Sequence, residues 1–241
     1  MEPDILEHIQ SIGLLIGPDF FHIYCYGDLD GKSYIKTIDA IAHPSNISEL
    51  SEANPLYSFS VHPNWTLIPS DIFREEDSHL YLKLNTGFTE GAAFGHDEVS
   101  GLSMKLVYQR ENELEEKSYQ LNPSLQVGHL AKRVITRIRR SSKSTDSLHI
   151  YLFGKVAFVF IWRSESLLLG NSLNFETSED LLYYIMYTLK QLDVPTTVQT
   201  ELMGTGNHVK PLKGELKKYL TKIGGEDPSD EELAIILSEC A

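Results

Sequence analysis

The stretch that most constrains this chain is Leu148 to Trp162, LHIYLFGKVAFVFIW, two apolar runs separated only by Gly154-Lys155. A helix crossing a bilayer needs ~20 apolar residues, and this run is shorter and carries a turn dipeptide at its middle. Two short apolar runs on either side of a Gly-Lys pair read as two core strands joined by a tight turn. Ser166 to Phe175 supplies a third strand, with Leu167, Leu169, Leu173 and Phe175 at even spacing.

The segment after the third strand is equally patterned. Thr177 with Asp180 resembles a capping box, and Leu181, Leu182, Ile185, Met186 and Leu189 form one face of the helix it opens. Pro195 ends that excursion. Thr197 to Met203 is expected to run back as a strand, Gly204-Thr205-Gly206 to turn it towards a helix with Leu212, Leu216, Leu220 and Ile223 inward, and Ser229 with Glu232 to cap a last helix.

The same order opens the chain. Leu14 to Ile16, the turn Gly17-Pro18-Asp19 and Phe20 to Tyr26 make a hairpin; Gly27 to Gly31 is a second turn, followed by Tyr34 to Ile41. Ser45 or Asn46 can cap a short helix through Ile47, Leu50 and Ala53. Further along the chain, Trp65 to Ile68 and Gly101 to Tyr108 read as strands. Pro69-Ser70-Asp71 is expected to open a helix carrying Ile72, Phe73, Leu80 and Leu84, and His96-Asp97-Glu98 to lie in a Gly-rich loop. Arg110 to Tyr119 reads as an exposed charged helix, and Leu130, Val134, Ile135 and Ile138 as a helical stripe. Ser141 to Asp146 is polar and free of large apolar residues, which divides the chain into 1–146 and 147–241.

Composition narrows the function. Of 241 residues, 21 are Lys or Arg and 34 are Asp or Glu, a formal charge of -13. Phosphate neutralisation supplies most nucleic-acid affinity, so no nucleic acid and no anionic membrane is the expected partner. The first ten residues hold three acids and no basic or apolar leader segment, which reads as cytoplasmic. Two cysteines, Cys25 and Cys240, do not make a disulfide framework.

A repeated meander, helix, strand, helix order resembles the ribonuclease-H-like fold, and two copies in one chain resemble the actin-like ATPase superfamily. The segment from Leu148 to Leu192, with its three strands and Thr177-capped tyrosine-rich helix, more specifically resembles the uncharacterised Bacteroidetes family known as domain of unknown function 3822. The implied fold is α/β, with two ribonuclease-H-like subdomains whose mixed central sheets carry packed helices; no activity is implied by the family.

The superfamily resemblance also implies a place for ATP, between the halves. Its phosphate hairpins carry Asp-x-Gly at the first turn of each half, the backbone holding phosphate and the carboxylates placing Mg²⁺. Here those turns read Ile16-Gly17-Pro18-Asp19 and Phe153-Gly154-Lys155. The metal-side aspartate is missing from both, Asp19 lies beyond its glycine, and Pro18 removes an N–H donor. The resemblance makes Gly17, Asp19, Gly154, Lys155, Gly204, Thr205 and Gly206 the nucleotide-binding candidates. No catalytic residue is assigned, and neither a metal nor any other cofactor is expected; ATP with magnesium is the rival expectation.

Other chemistries fare less well. Gly27 to Ser33 resembles a P-loop but is one residue short and runs into a strand instead of a helix N-terminus. Asp28 and Asp30 lack the twelfth-position glutamate of a calcium loop, that place being taken by Asp39. The strands Leu14 to Ile16 and Leu148 to Phe153 carry no carboxylate for a two-metal nuclease. The nine histidines include no zinc-like pair. Lys132, Arg133, Arg137, Arg139, Arg140 and Lys143 gather six basic residues in twelve positions. Two readings stand for them: the solvated face of an amphipathic helix, or a docking surface for an acidic partner, with a second copy of the chain as one candidate. In that second reading Lys132, Arg133, Arg137, Arg139 and Arg140 are the partner-binding residues. The leading expectation is a catalytically degenerate actin-like protein that binds or scaffolds another protein. The alternative is an ATP-binding protein with a divergent phosphate loop.

Overall fold

The structure is a computed structural model, which describes residues 9–17, 20–29, 32–39, 56–87, 89–110, 115–116, 119, 125–141, 145–205 and 208–224. Three strands, β1 (Ile9–Gly17), β2 (Phe20–Leu29) and β3 (Lys32–Asp39), form an antiparallel meander. Beside β1 run β4 (Leu56–Ser60) and then β8 (Gln126–His129), both parallel to it, so the first sheet has the order β3-β2-β1-β4-β8. The second sheet repeats this plan. Strands β9 (Ser147–Phe153), β10 (Val156–Arg163) and β11 (Ser166–Asn174) make the meander. Beside β9 lie β12 (Gln199–Thr205) and β13 (Ile223–Gly224), in the order β11-β10-β9-β12-β13.

Between β4 and β8 the chain adds a three-stranded antiparallel sheet of β5 (Trp65–Pro69), β6 (Phe94–Val99) and β7 (Met104–Gln109), in the order β5-β7-β6. Four helices are described: α1 (Ser78–Asn85), α2 (Leu130–Ser141), α3 (Ser178–Gln191) and α4 (Val209–Leu216).

The apolar run at 148–162 is explained by two cores. Strand side chains alternate between faces, and here both faces are covered. Leu148, Ile150, Leu152, Ala157, Val159 and Ile161 point to one side, where they pack with Leu181, Ile185 and Leu189 of α3 and Leu212 and Leu216 of α4. Tyr151, Phe153, Phe158, Phe160 and Trp162 point to the other. There they join Leu15, Tyr24, Phe59, Trp65 and the α2 residues Leu130, Val134, Ile135 and Ile138 in a single core that draws on both five-stranded sheets. A strand buried on both faces carries no polar alternation, which is why this segment is so uniformly apolar.

Several expectations need correction. The sheet of the first half has as many strands as that of the second, because β4 and β8 supply two parallel strands that the sequence pattern did not mark. No helix opens at Pro69: residues 70–72 turn, with the Ser70 N–H donating to the Ser103 carbonyl, and α1 begins at Ser78. Ile72 and Phe73 consequently precede the helix, whereas Leu80 and Leu84 lie on α1 but on its exposed side. His96-Asp97-Glu98 is not a loop but part of β6, paired with β7. Glu115, expected on an exposed helix, is buried against Arg110, whose Nε donates to its Oε2 at 2.6 Å. Strand β12 continues through Gly204 and Thr205 where a turn was expected, and Ile223 lies in β13 where a helical position was expected. The helix expected near residues 47–53, the last helix from Ser229 and most of the 110–119 segment lie outside the described residues.

Other readings hold. Thr177 Oγ1 accepts from the Asp180 N–H at 3.1 Å while Asp180 Oδ2 accepts from the Thr177 N–H at 3.0 Å, closing the capping box of α3. The P-loop-like stretch leads into no helix: Gly27 to Leu29, expected in a turn, pair within β2 against Lys32 to Tyr34 of β3, Asp30 and Gly31 lie outside the described residues, and Asp39 stands at the far end of β3 opposite His22.

Candidate functional site

Gly17 ends β1 paired with Phe20; Pro18 and Asp19 lie outside the described residues. In the second hairpin Phe153 pairs with Val156, and Gly154 adopts φ +59°, the left-handed value that the first residue of such a tight turn requires. Lys155 Nζ pairs with Glu176 Oε2 across that turn. Thr205 pairs with Phe153 and Gly204 with Leu152, so the second hairpin and the end of β12 are brought side by side. Gly206 lies outside the described residues. Gly204 has a reason of its own to be glycine: its φ is +136°, and a Cβ there would lie 2.2 Å from the Leu152 carbonyl oxygen.

Of the five basic residues of α2, Lys132, Arg133 and Arg137 are half-buried. Lys132 Nζ lies 3.3 Å from Asp97 Oδ1, and Asp97 Oδ2 accepts from the His129 N–H at 3.4 Å. A carboxylate from β6 thus sits against the start of α2, where unpaired backbone N–H groups and the helix dipole favour negative charge. The Arg133 guanidinium lies over the Phe59 ring, 5.3 Å from its centroid. Arg139 Nη1 donates to the Ser100 carbonyl at 3.3 Å, and Arg137 is near enough to Glu201 to favour its ionised form. Arg139 and Arg140 are exposed. A small cleft of about 130 Å³ is lined here by Tyr57, Phe59, Asp97, Val127, Gly128, His129, Lys132 and Arg133.

His96, Asp97 and Glu98 do not converge on a common point. The His96 ring faces Phe73 at 5.1 Å, Asp97 faces α2, and Glu98 pairs with Lys105. Among the described residues no group of three or more His, Cys, Asp or Glu side chains is arranged to hold a metal.

The larger cleft, about 570 Å³, lies at the N-terminal ends of β9 and β12, lined in part by Ser147, His149, Gln199, Glu201 and Lys222. His149 Nε2 is 3.0 Å from Ser147 Oγ, and His149 Nδ1 is 3.0 Å from Glu201 Oε2. His149, with Arg137 contributing less, holds the Glu201 carboxyl below its usual range against the opposing effect of partial burial. Sequence reasoning passed over this group. A Ser-x-His on one strand is a visible signal, because period two puts both side chains on one face, but the partnering glutamate is 52 residues from His149 and only strand register reveals it.

The repeated 3-2-1-4-5 sheet order, with helices packed on both sheets, defines an actin-like ATPase fold of two ribonuclease-H-like units. Within that class the chain belongs to the family described as protein of unknown function (DUF3822), whose model matches residues 59–223. Among solved structures it is similar to a Bacteroides thetaiotaomicron protein with actin-like ATPase fold and unknown function, at 18% identity and TM-score 0.77, covering 100% of each chain. It is also similar to a chain of a PilM-PilN type IV pilus biogenesis complex, at 12% identity and TM-score 0.55, covering 96% of each chain. No curated protein matches it in sequence. Among the described residues no helix is long and apolar enough to cross a membrane.

Proposed function

We propose that this chain is an actin-like-fold protein that has lost ATP hydrolysis and acts by binding another protein, with its units dividing at residues 141–146. One observation carries the reading. Phe153 and Val156, which flank the second hairpin turn, belong to the same buried core as Leu15 of β1 and Tyr24 of β2, and aromatic side chains fill the space between. A nucleotide between the halves needs polar backbone and carboxylates facing an open cleft. Here the adjoining positions are apolar and packed, neither turn has an Asp before its glycine, and Lys155 is occupied by Glu176. Fold likeness to a chain of a PilM-PilN complex fits a partner-binding role.

Calorimetry and thermal shift of the full chain with Mg·ATP test the loss of nucleotide chemistry. No binding at millimolar ligand is the expected result. Magnesium-dependent hydrolysis that disappears in Lys155→Ala would favour the ATP-binding alternative. The proposed partner surface is the basic face of α2 at Lys132, Arg133, Arg137, Arg139 and Arg140. Because Arg133 and Arg137 also serve internal contacts, the discriminating variant is Arg140→Glu, assayed by sedimentation for self-association. Unchanged sedimentation removes a second copy as the partner.

A further inference from the structure

Ser147, His149 and Glu201 form a hydroxyl, imidazole and carboxylate in series. Ser147 and His149 are two residues apart on β9 and share a face, while register sets Glu201 of β12 opposite His149 and Gln199 opposite Ser147. Both links measure 3.0 Å, within the reach of about 2.6–3.2 Å that joins nucleophile to base and base to orienting group. The His149 side chain is only 7% exposed, and its Nδ1 has no aligned hydrogen bond although Glu201 Oε2 is at contact distance. Unliganded sites commonly hold such bonds slack until substrate enters. Ser147 is half-buried and Glu201 half-exposed, and both open on the 570 Å³ cleft.

A purely structural role explains this poorly. Strand β9 is otherwise apolar from Leu148 to Phe153, and a buried imidazole left with an unaligned nitrogen costs stability that an aliphatic residue would not. Burial without full satisfaction is common where a group is kept for chemistry.

We propose that Ser147 is an activated nucleophile, that His149 is its general base and Glu201 its positioning residue, and that the cleft takes a small carboxylic ester. The Ser147 Oγ lone pair attacks the ester carbonyl carbon as its proton passes to His149 Nε2. The tetrahedral intermediate collapses with cleavage of the bond to the alkoxy oxygen, which takes that proton and leaves as the alcohol. Water then repeats the sequence on the acyl-serine, delivering its proton to His149 and releasing the acid with Ser147 restored. Glu201 stabilises the imidazolium formed in each half. The Gln199 carboxamide and Lys222 ammonium line the same cleft and are available to the developing oxyanion.

The full-length chain is treated with a fluorophosphonate and, separately, with p-nitrophenyl acetate. The expected result is one adduct, mapped to Ser147, and ester hydrolysis above the buffer rate. Ser147→Ala abolishes both. Glu201→Gln lowers kcat on the order of 10–100-fold with KM little changed, a split that a merely structural residue does not produce. His149→Gln slows adduct formation at least about 100-fold; if it does not fold, the comparison of the parent with Ser147→Ala decides the matter alone. Absence of an adduct on Ser147, hydrolysis undiminished in Ser147→Ala, or a Glu201→Gln variant altered only in Tm overturns the proposal. None of these outcomes bears on Mg·ATP binding, so the two readings fail separately.

Discussion

His129 Nε2 donates to the His62 carbonyl oxygen at 2.9 Å, while His129 Nδ1 accepts from the Ala131 N–H at 3.2 Å. One nitrogen donates and the other accepts, so the ring is neutral, and it is stacked against Phe158 at 5.5 Å in the middle of the core shared by both sheets. Burial pushes its pKa down to about 3, with the bond to the His62 carbonyl opposing the shift and the nearby His62 adding to it. The His62 ring, also buried, is pushed down to about 4 by desolvation.

These two rings make stability acid-sensitive. Both folded-state values lie below the unfolded value of 6.5, so the unfolded chain binds more protons as pH falls below 6.5 and stability drops. The loss continues towards pH 4 for His62 and pH 3 for His129, and these groups contribute no slope above about pH 7.5. Each costs about 1.4 kcal/mol per pH unit within its window. Urea unfolding at about pH 7.5, 6 and 5 should show a falling midpoint; a midpoint constant over that range would refute the neutral, buried assignment.

Gly204→Ala should destabilise the chain by more than about 2 kcal/mol, since it combines a φ of +136° with a Cβ 2.2 Å from a backbone oxygen. The effect should appear in ligand-free protein by thermal unfolding. An alanine variant as stable as its parent would mean that strand contact is not what requires the glycine.

Trp65 stacks on Phe160 at 5.9 Å and meets Phe158 edge-on at 5.7 Å, so a residue of the inserted sheet is lodged against the second five-stranded sheet. Trp65→Ala should cost about 3–5 kcal/mol. Calorimetry of the parent should show a single transition, moved to lower temperature in the variant. Two transitions in the parent, only one of them shifted by Trp65→Ala, would contradict a shared core.

Thr177→Ala removes one half of a reciprocal cap and should cost about 1 kcal/mol, with α3 fraying at its first turn. Hydrogen exchange at Asp180 and Leu181 reports this directly. Unchanged protection there would show that packing, not capping, holds the helix start.

Legibility in the sequence tracked the range of interaction. The capping box, the Gly154-Lys155 turn, the 130–138 stripe and the doubled meander could all be read because each is written in residues a few positions apart. Strands β4 and β8 could not. Leu56–Ser60 alternates too briefly to stand out, and Gln126–His129 contains a glycine between Val127 and His129; both are strands because β1 and then β4 offer them parallel partners. Asp97 shows the same for the site: within His96-Asp97-Glu98 it reads as polar loop, and only β6–β7 pairing aims it at α2.

By itself the sequence determined the apolar run whose unbroken character demands cover on both faces, the order of local elements, and the lack of an Asp-x-Gly turn in either half. Tertiary structure alone decided which residues of the two halves share one core, which of the basic α2 side chains turn inward, and that Glu201 stands beside His149. The physical reason is that hydrophobic period and turn chemistry are properties of neighbouring residues, whereas strand register and helix docking are settled by contacts between segments far apart in the chain, whose energies no local window contains.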